Sequence, residues 1–291
     1  MIHRYYLEGP ILDVAGLNEI TVLIDRSETE LTEVAVNKWP VGMAGPPHLH
    51  AEKDQIFYIL SGEGTVLLGN EEHTVHPGCL LYIPAGLLHR TITTSTEPLR
   101  YLLYNVFIST DKEGHSSFAD HINKVKAIRR QQANSRKHDV AGADRGTSTD
   151  KKGKFFDNVF SGKKYDFGSN YTILLLDRTQ TNRLEFVVVQ WPSGSKGALV
   201  AHKEKEQTFF ILSGSGWVTI GEETEPVKPG EIIFVPRNTP HTTEAVQQEL
   251  TYLCLNSIIT ETRDRDFEQM YQRVAPERKK RWKSGDTSVG E

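Results

Sequence analysis

In GPPHLHAEKDQIFYILSGEG, residues 45–64, two histidines one residue apart stand just ahead of a strand-like run, with a glutamine five positions after the second. Side chains alternate faces along an extended strand, so His48 and His50 point the same way; if that way is inward, two imidazoles converge. Gln55 and Phe57 share one face of the next strand. A third histidine, His89, ends GCLLYIPAGLLH, where Gly78, Pro84 and Gly86 shape a turn that can return a side chain to the same pocket. Three imidazole nitrogens and one amide oxygen make a ligand set for a divalent ion: Zn²⁺, Fe²⁺, Ni²⁺, Co²⁺ or Mn²⁺. Asp54 is an alternative carboxylate ligand, but alternation sends it to the face opposite Gln55.

The elements that must position these residues occur twice. Displacing the chain by 152 positions lays GPPHLHAEKDQIFYILSGEG on GALVAHKEKEQTFFILSGSG at 197–216 without a gap, and HPGCLLYIPAGLLH at 76–89 on KPGEIIFVPRNTPH at 228–241. Asp25-Arg26 falls on Asp177-Arg178, Glu33 on Glu185 and Trp39-Pro40 on Trp191-Pro192. The chain is a tandem duplication. Each copy reads as short strands punctuated by Gly and Pro, in the first half ITVLID, TEVAVNKW, QIFYIL, GTVLLG, CLLYIP, RTITT and RYLLYNVFI. That spacing predicts an all-β fold of two barrels or sandwiches. Phe118, Ile122, Val125 and Ile128 recur at helical spacing, as do Phe267, Met270, Tyr271 and Val274, so a short helix follows each barrel. Residues 130–154 are polar and without apolar period, which sets the expected units at 1–129, a linker at 130–154, and 155–291.

With 291 residues, 37% hydrophobic, the chain can fill two ordinary cores, and a net charge of −4 gives no general pull toward nucleic acid or an anionic membrane. The opening residues MIHRYYLEGPILDV lack a basic segment followed by an apolar core, and no apolar run approaches a bilayer's thickness. The expectation is a cytoplasmic protein with no membrane or nucleic-acid partner. Cys79 and Cys254, each inside an apolar stretch, read as buried packing. The basic run RKKRWK at 278–283 reads as a solvated helix end, and the histidines outside the two repeated motifs, His121 among them, as solvated side chains.

By its two motifs the chain resembles the cupin superfamily, specifically a bicupin. Gly42, His48, His50, Gln55 and Gly62 follow the family's first motif with Gln in place of Glu, and Gly78, Pro84, Gly86 and His89 follow the second. The resemblance implies two double-stranded β-helix (jelly-roll) barrels, with His48, His50, Gln55 and His89 holding one metal ion in the N-terminal barrel. Its second copy departs: the position 152 residues after His48 is Val200, leaving His202, Gln207 and His241 as a degenerate second site expected to lack a tightly bound metal. Asn238 replaces the turn glycine, and Asn is the substitute that best tolerates positive φ.

A neutral Gln leaves the ion's charge less compensated than Glu would, favouring Lewis-acid isomerisation or cyclisation of a small polar or aromatic oxygenated metabolite. A non-haem, quercetinase-like dioxygenase and a non-catalytic binding or structural bicupin are the alternatives. Glu33, Tyr58 and Tyr82 are positional candidates for a base. Paired barrels with edge strands lead to the expectation of a homodimer.

Overall fold

The structure is a computed structural model, and it describes residues 1–113, 116–135 and 151–285, with side chains of 128–135 left aside. In the N-terminal half the strands are β1 (Ile2–Tyr5), β2 (Ile11–Asp13), β3 (Glu19–Ile24), β4 (Thr32–Trp39), β5 (Lys53–Ser61), β6 (Gly64–Leu68), β7 (Glu71–Val75), β8 (Leu80–Ile83), β9 (His89–Thr93) and β10 (Leu99–Phe107), then helix α1 (Phe118–Ser135). The second half gives β11 (Lys154–Phe156), β12 (Lys163–Asp166), β13 (Tyr171–Leu176), β14 (Leu184–Trp191), β15 (Lys205–Ser213), β16 (Gly216–Ile220), β17 (Glu223–Val227), β18 (Glu231–Val235), β19 (His241–Ala245), β20 (Leu250–Ile258) and helix α2 (Phe267–Ser284). The duplicated strand pattern is realised as two all-β units, each followed by a helix.

One unit is Leu7–Asn158, here the N-terminal barrel; its sheets run β11-β8-β5-β10-β4-β3-β2 and β7-β6-β9. The C-terminal barrel is Val159–Glu291 with Met1–Tyr6, and its sheets run β1-β18-β15-β20-β14-β13-β12 and β17-β16-β19. The boundaries expected at 1–129 and 155–291 therefore shift. Residues 1–6 complete the sheet of the C-terminal barrel, Ile2 opposite Phe234 and Tyr5 opposite Glu231, while Lys154–Phe156 covers β8. Each short strand pairs with what would be an open edge, and covering an edge outweighs sequence proximity. Of the expected linker, residues 136–150 lie outside the described residues.

Cores follow the strand period. Burial alternates along β6 and β9, sending Val66, Leu68, Thr91 and Thr93 inward. In the N-terminal barrel the Tyr101 hydroxyl accepts from Asn37 Nδ2 at 2.9 Å and Trp39 Nε1 at 3.0 Å, and its ring stacks on Phe57 with centroids 4.3 Å apart. The C-terminal copy repeats this with Trp191, Tyr252 and Phe209. Phe118 and Ile122 of α1 join the first core, Phe267 and Ala275 of α2 the second. The repeated Asp-Arg pairs explain the helix placement: Asp25 and Asp177 accept from the Phe118 and Phe267 backbone N–H at 3.0 and 3.1 Å, while Arg26 Nη2 donates to the carbonyls of Ser109 and Asp111. Among the described residues, no helix is long and apolar enough to cross a membrane.

Deleting residues 1–6 uncovers β18 while leaving β8 covered by β11. Hydrogen exchange followed by mass spectrometry is expected to show faster exchange at 231–235 and unchanged exchange at 80–83; equal protection at 231–235 would contradict the pairing.

Candidate metal centre

Three segments of the N-terminal barrel meet at one point. The backbone N–H of His48 donates to the His89 carbonyl at 3.0 Å, and the His89 N–H donates back at 2.9 Å. This isolated antiparallel bridge sets the two imidazoles side by side, centroids 4.3 Å apart. His50 is fixed by the next main-chain bond, its carbonyl accepting from Gly86 N–H at 2.7 Å. Gly86 has φ +85°, a conformation that glycine adopts without steric cost. The three side chains each bring a ring nitrogen within 4.8 Å of the others.

Hydrogen bonding sets the tautomers. Nδ1 of His48 faces the Pro46 carbonyl at 3.0 Å and Nδ1 of His89 the Leu87 carbonyl at 3.1 Å. Carbonyls only accept, so the rings carry hydrogen at Nδ1 and present Nε2 lone pairs. His89 Nε2 is buried with no hydrogen-bond partner. Burial holds His50 well below the usual histidine range, helped by Lys53 and the other imidazoles, and burial with His48 pushes His89 down to about 3. His50 and His89 are thus neutral, the form that coordinates a metal.

Gln55 is oriented from behind. Its Nε2 donates to Asn105 Oδ1 at 2.9 Å, and Asn105 Nδ2 donates to Glu33 Oε2 at 3.0 Å. Both amides thus give their NH2 groups toward Glu33, whose Oε2 accepts. Gln55 Oε1 is left buried without a partner. An orphaned buried acceptor costs about 1–3 kcal/mol, and a cation at the histidine cluster would satisfy it. This donor set fits a divalent ion.

The other candidates lie elsewhere. Asp54 accepts from the Ala85 N–H at 2.7 Å and from the Tyr82 hydroxyl at 3.2 Å, so both serve the turn after β8. Tyr58 shares Asp54's face of β5, and Glu33 reaches the site only through Asn105. The sequence reading passed over His121, whose ring lies 5.6 Å from that of His50. Its signal was helical: it adjoins Ile122 and follows Phe118 by three, both in the core. His76, also read as solvated, has Nε2 3.0 Å from Asp157 Oδ1, beside buried Cys79.

The C-terminal barrel keeps the frame and changes the contents. Val200 and His241 form the same bridge at 3.0 and 2.8 Å, and Asn238, at φ +61°, donates its N–H to the His202 carbonyl at 2.6 Å. Gln207 donates to Asn256, which donates to Glu185, and Gln207 Oε1 is again a buried orphan. His202 and His241 lie 5.3 Å apart by ring centroid, with Val200 where the third imidazole would stand.

A model of the cupin domain family matches residues 36–105 and 186–256. An uncharacterized protein of Methanocaldococcus jannaschii is 40% identical over 55 residues, covering 19% of this chain and 44% of that one. A glucose-6-phosphate isomerase of Thermococcus onnurineus is 33% identical over 63 residues, covering 20% and 33%. The match thus spans less than half the length of these relatives. Among solved structures, the formate complex of Lactobacillus farciminis oxalate decarboxylase aligns with TM-score 0.63 at 12% identity, over 90% of this chain and 87% of that one. Bacillus subtilis oxalate decarboxylase, studied for its Mn(II) centers, aligns with TM-score 0.61 at 14% identity, over 90% and 78%. At such identity the likeness is one of fold.

Acid sensitivity follows from the buried imidazoles. His89 and His241 titrate at about 3 and about 4 in the fold, burial being the main cause, against an ordinary 6.5. Between those values the unfolded chain binds more protons, so their contribution is intact above 6.5 and is lost as pH falls. The slope is on the order of 1.4 kcal/mol per pH unit for each histidine. The Tm of EDTA-treated protein is expected to fall steadily from pH 6.5 to 4.5, and less so in His89→Gln; a flat profile would contradict the burial argument.

Proposed function

Because the chain is a bicupin of the cupin superfamily, we propose that its N-terminal barrel is a metal-dependent catalytic centre that isomerises a small hydroxy-carbonyl compound. The observation that carries this reading is the Gln55 amide oxygen, locked by Asn105 and Glu33 with no partner of its own, in a barrel whose three imidazoles are gathered. His48, His50, His89 and Gln55 would hold one divalent ion, with Mn(II) the first candidate because a fold neighbour carries Mn(II) centers. When bound, it supplies Lewis acidity toward a carbonyl or hydroxyl oxygen, and four neutral donors leave its charge uncompensated.

The remaining residues divide the work. Phe118 and Ile122 bring α1 onto the core and so exclude water beside His50. His121, outside the ligand set but against His50, moves the proton at the carbon next to the substrate carbonyl. Glu33 stays behind Gln55 and keeps the amide pointed inward. The 63-residue match to a glucose-6-phosphate isomerase supports an isomerase over an oxygenase.

Metal analysis of protein purified without added metal is expected to give about one ion per chain, lost in His50→Ala and kept in His202→Ala. Asn105→Leu frees Gln55 to rotate and is expected to weaken metal affinity about 10–100-fold. The reaction is tested by proton NMR in D2O, with dihydroxyacetone, hydroxypyruvate and fructose 6-phosphate. Metal-loaded protein is expected to exchange the hydrogen next to the carbonyl, and His121→Gln to slow exchange while retaining its ion. Full occupancy with no exchange on any of the three would end the isomerase reading, and oxygen uptake on aromatic diols would replace it with an oxygenase.

A further inference from the structure

The C-terminal barrel carries a half-open cavity of about 610 Å³, lined by β14, β15, β19, β20 and α2, a volume suited to a small organic molecule. Two kinds of polar group face it. On the inner side are acceptors: Gln207 Oε1, only 8% of the residue being exposed, has no partner, and His241, with Nδ1 against the Thr239 carbonyl at 3.0 Å, turns Nε2 the other way. Cations form the second kind. Lys205 shares Gln207's face of β15, and Arg278 enters from α2 with its Nε buried and unpartnered, its guanidinium 5.2 Å from the Phe167 ring centroid.

These cations are not spoken for. Among the described residues neither Lys205 nor Arg278 forms an ion pair, whereas two of the lining carboxylates do, Glu261 with Arg178 at 2.8 Å and Asp264 with Arg273 at 2.6 Å, and Glu185 accepts from Asn256 at 3.1 Å. The stacked rings of Phe209 and Tyr252 supply an apolar wall. No trio of His, Cys, Asp or Glu able to close on an ion occurs in this barrel among the described residues.

We propose that the C-terminal barrel is a metal-independent binding site for a hydroxylated organic acid with an aromatic or apolar body. The carboxylate sits on Arg278 and Lys205, the hydroxyl donates to Gln207 Oε1, and the body lies against Phe209 and Tyr252. A neutral molecule would leave the two cations unmet, and an acid without a hydroxyl would leave the amide oxygen unmet. This goes beyond the catalytic reading, because it concerns the other barrel and needs no ion.

Isothermal titration of the EDTA-treated full chain with 3-hydroxybenzoate, 3-hydroxybenzamide and benzoate tests it. Saturable binding of 3-hydroxybenzoate at one per chain is expected, with the neutral amide about tenfold or more weaker and benzoate several-fold weaker. Arg278→Gln and Lys205→Met are each expected to weaken 3-hydroxybenzoate about tenfold with an unchanged circular dichroism spectrum, and His50→Ala to leave it unchanged. The proposal is overturned if 3-hydroxybenzoate does not bind in the millimolar range, if binding requires a divalent ion, if the amide binds equally well, or if His50→Ala rather than Arg278→Gln abolishes it.

Discussion

A glutamate oxygen that accepts from an asparagine amide stands at the head of each barrel's polar chain, and sheet register delivers the rest. Asn105 of β10 lies directly opposite Glu33 of β4 on one side and Gln55 of β5 on the other, so the three side chains form a row across three adjacent strands. Glu185, Asn256 and Gln207 repeat the row. A slip of one residue in either pairing would send a member to the opposite face and break it. Because Glu33, Asn105 and Gln55 are all buried, the N-terminal row has one low-energy polarity, which ends in an amide oxygen with no partner of its own. Burial pushes Glu33 up and Lys53 down from their usual ranges, and each charge opposes the other's shift, so the head of the relay is held beside a matching cation.

On this common frame the two barrels diverge by few side chains. The bridge that aligns His48 with His89 also aligns Val200 with His241, and the turn residue that pins His50 has a working substitute in Asn238. What changes is the chemistry presented: one imidazole becomes an isopropyl group, and His121, three residues into its helix after Phe118, has Met270 in the same place after Phe267. The C-terminal helix instead contributes Arg278 to a cavity. Retaining the relay while losing an imidazole leaves an oriented acceptor whose partner need not be a metal.

The duplication and the strand signals made most of this architecture readable, because strands β3 to β6, β8 to β10 and their copies are short apolar runs, alternating in burial along β6 and β9, between Gly and Pro turns. The hairpin strand β7, Glu71–Val75, escaped because its face is charged and exposed. β1 and β11 escaped because a short edge-covering strand is defined by the edge it meets, which is distant in sequence. His48, His50 and His89 were legible from spacing, but His121 was not, since its proximity to His50 depends on where Asp25 and Arg26 anchor the start of α1. Arg278 was hidden in a run of like charges, where composition says surface and only helix phase singles out the residues that turn inward.

Register also explains why a glutamine stands where a carboxylate is the usual choice. A glutamate at position 55 would present an oxygen to Asn105 Oδ1, so Asn105 would have to turn its NH2 toward it and face Glu33 with an oxygen instead. Two acceptors would then oppose each other in a buried site, at a cost of the order of an unsatisfied polar group, about 1–3 kcal/mol. Protonating Glu33 would relieve that clash but leave Lys53, 2% exposed, without its compensating charge. The residue at 55 is therefore not an independent choice of ligand. It is the last link of a unit that begins with Glu33 and Lys53, and a carboxylate could take its place only if that buried pair changed with it.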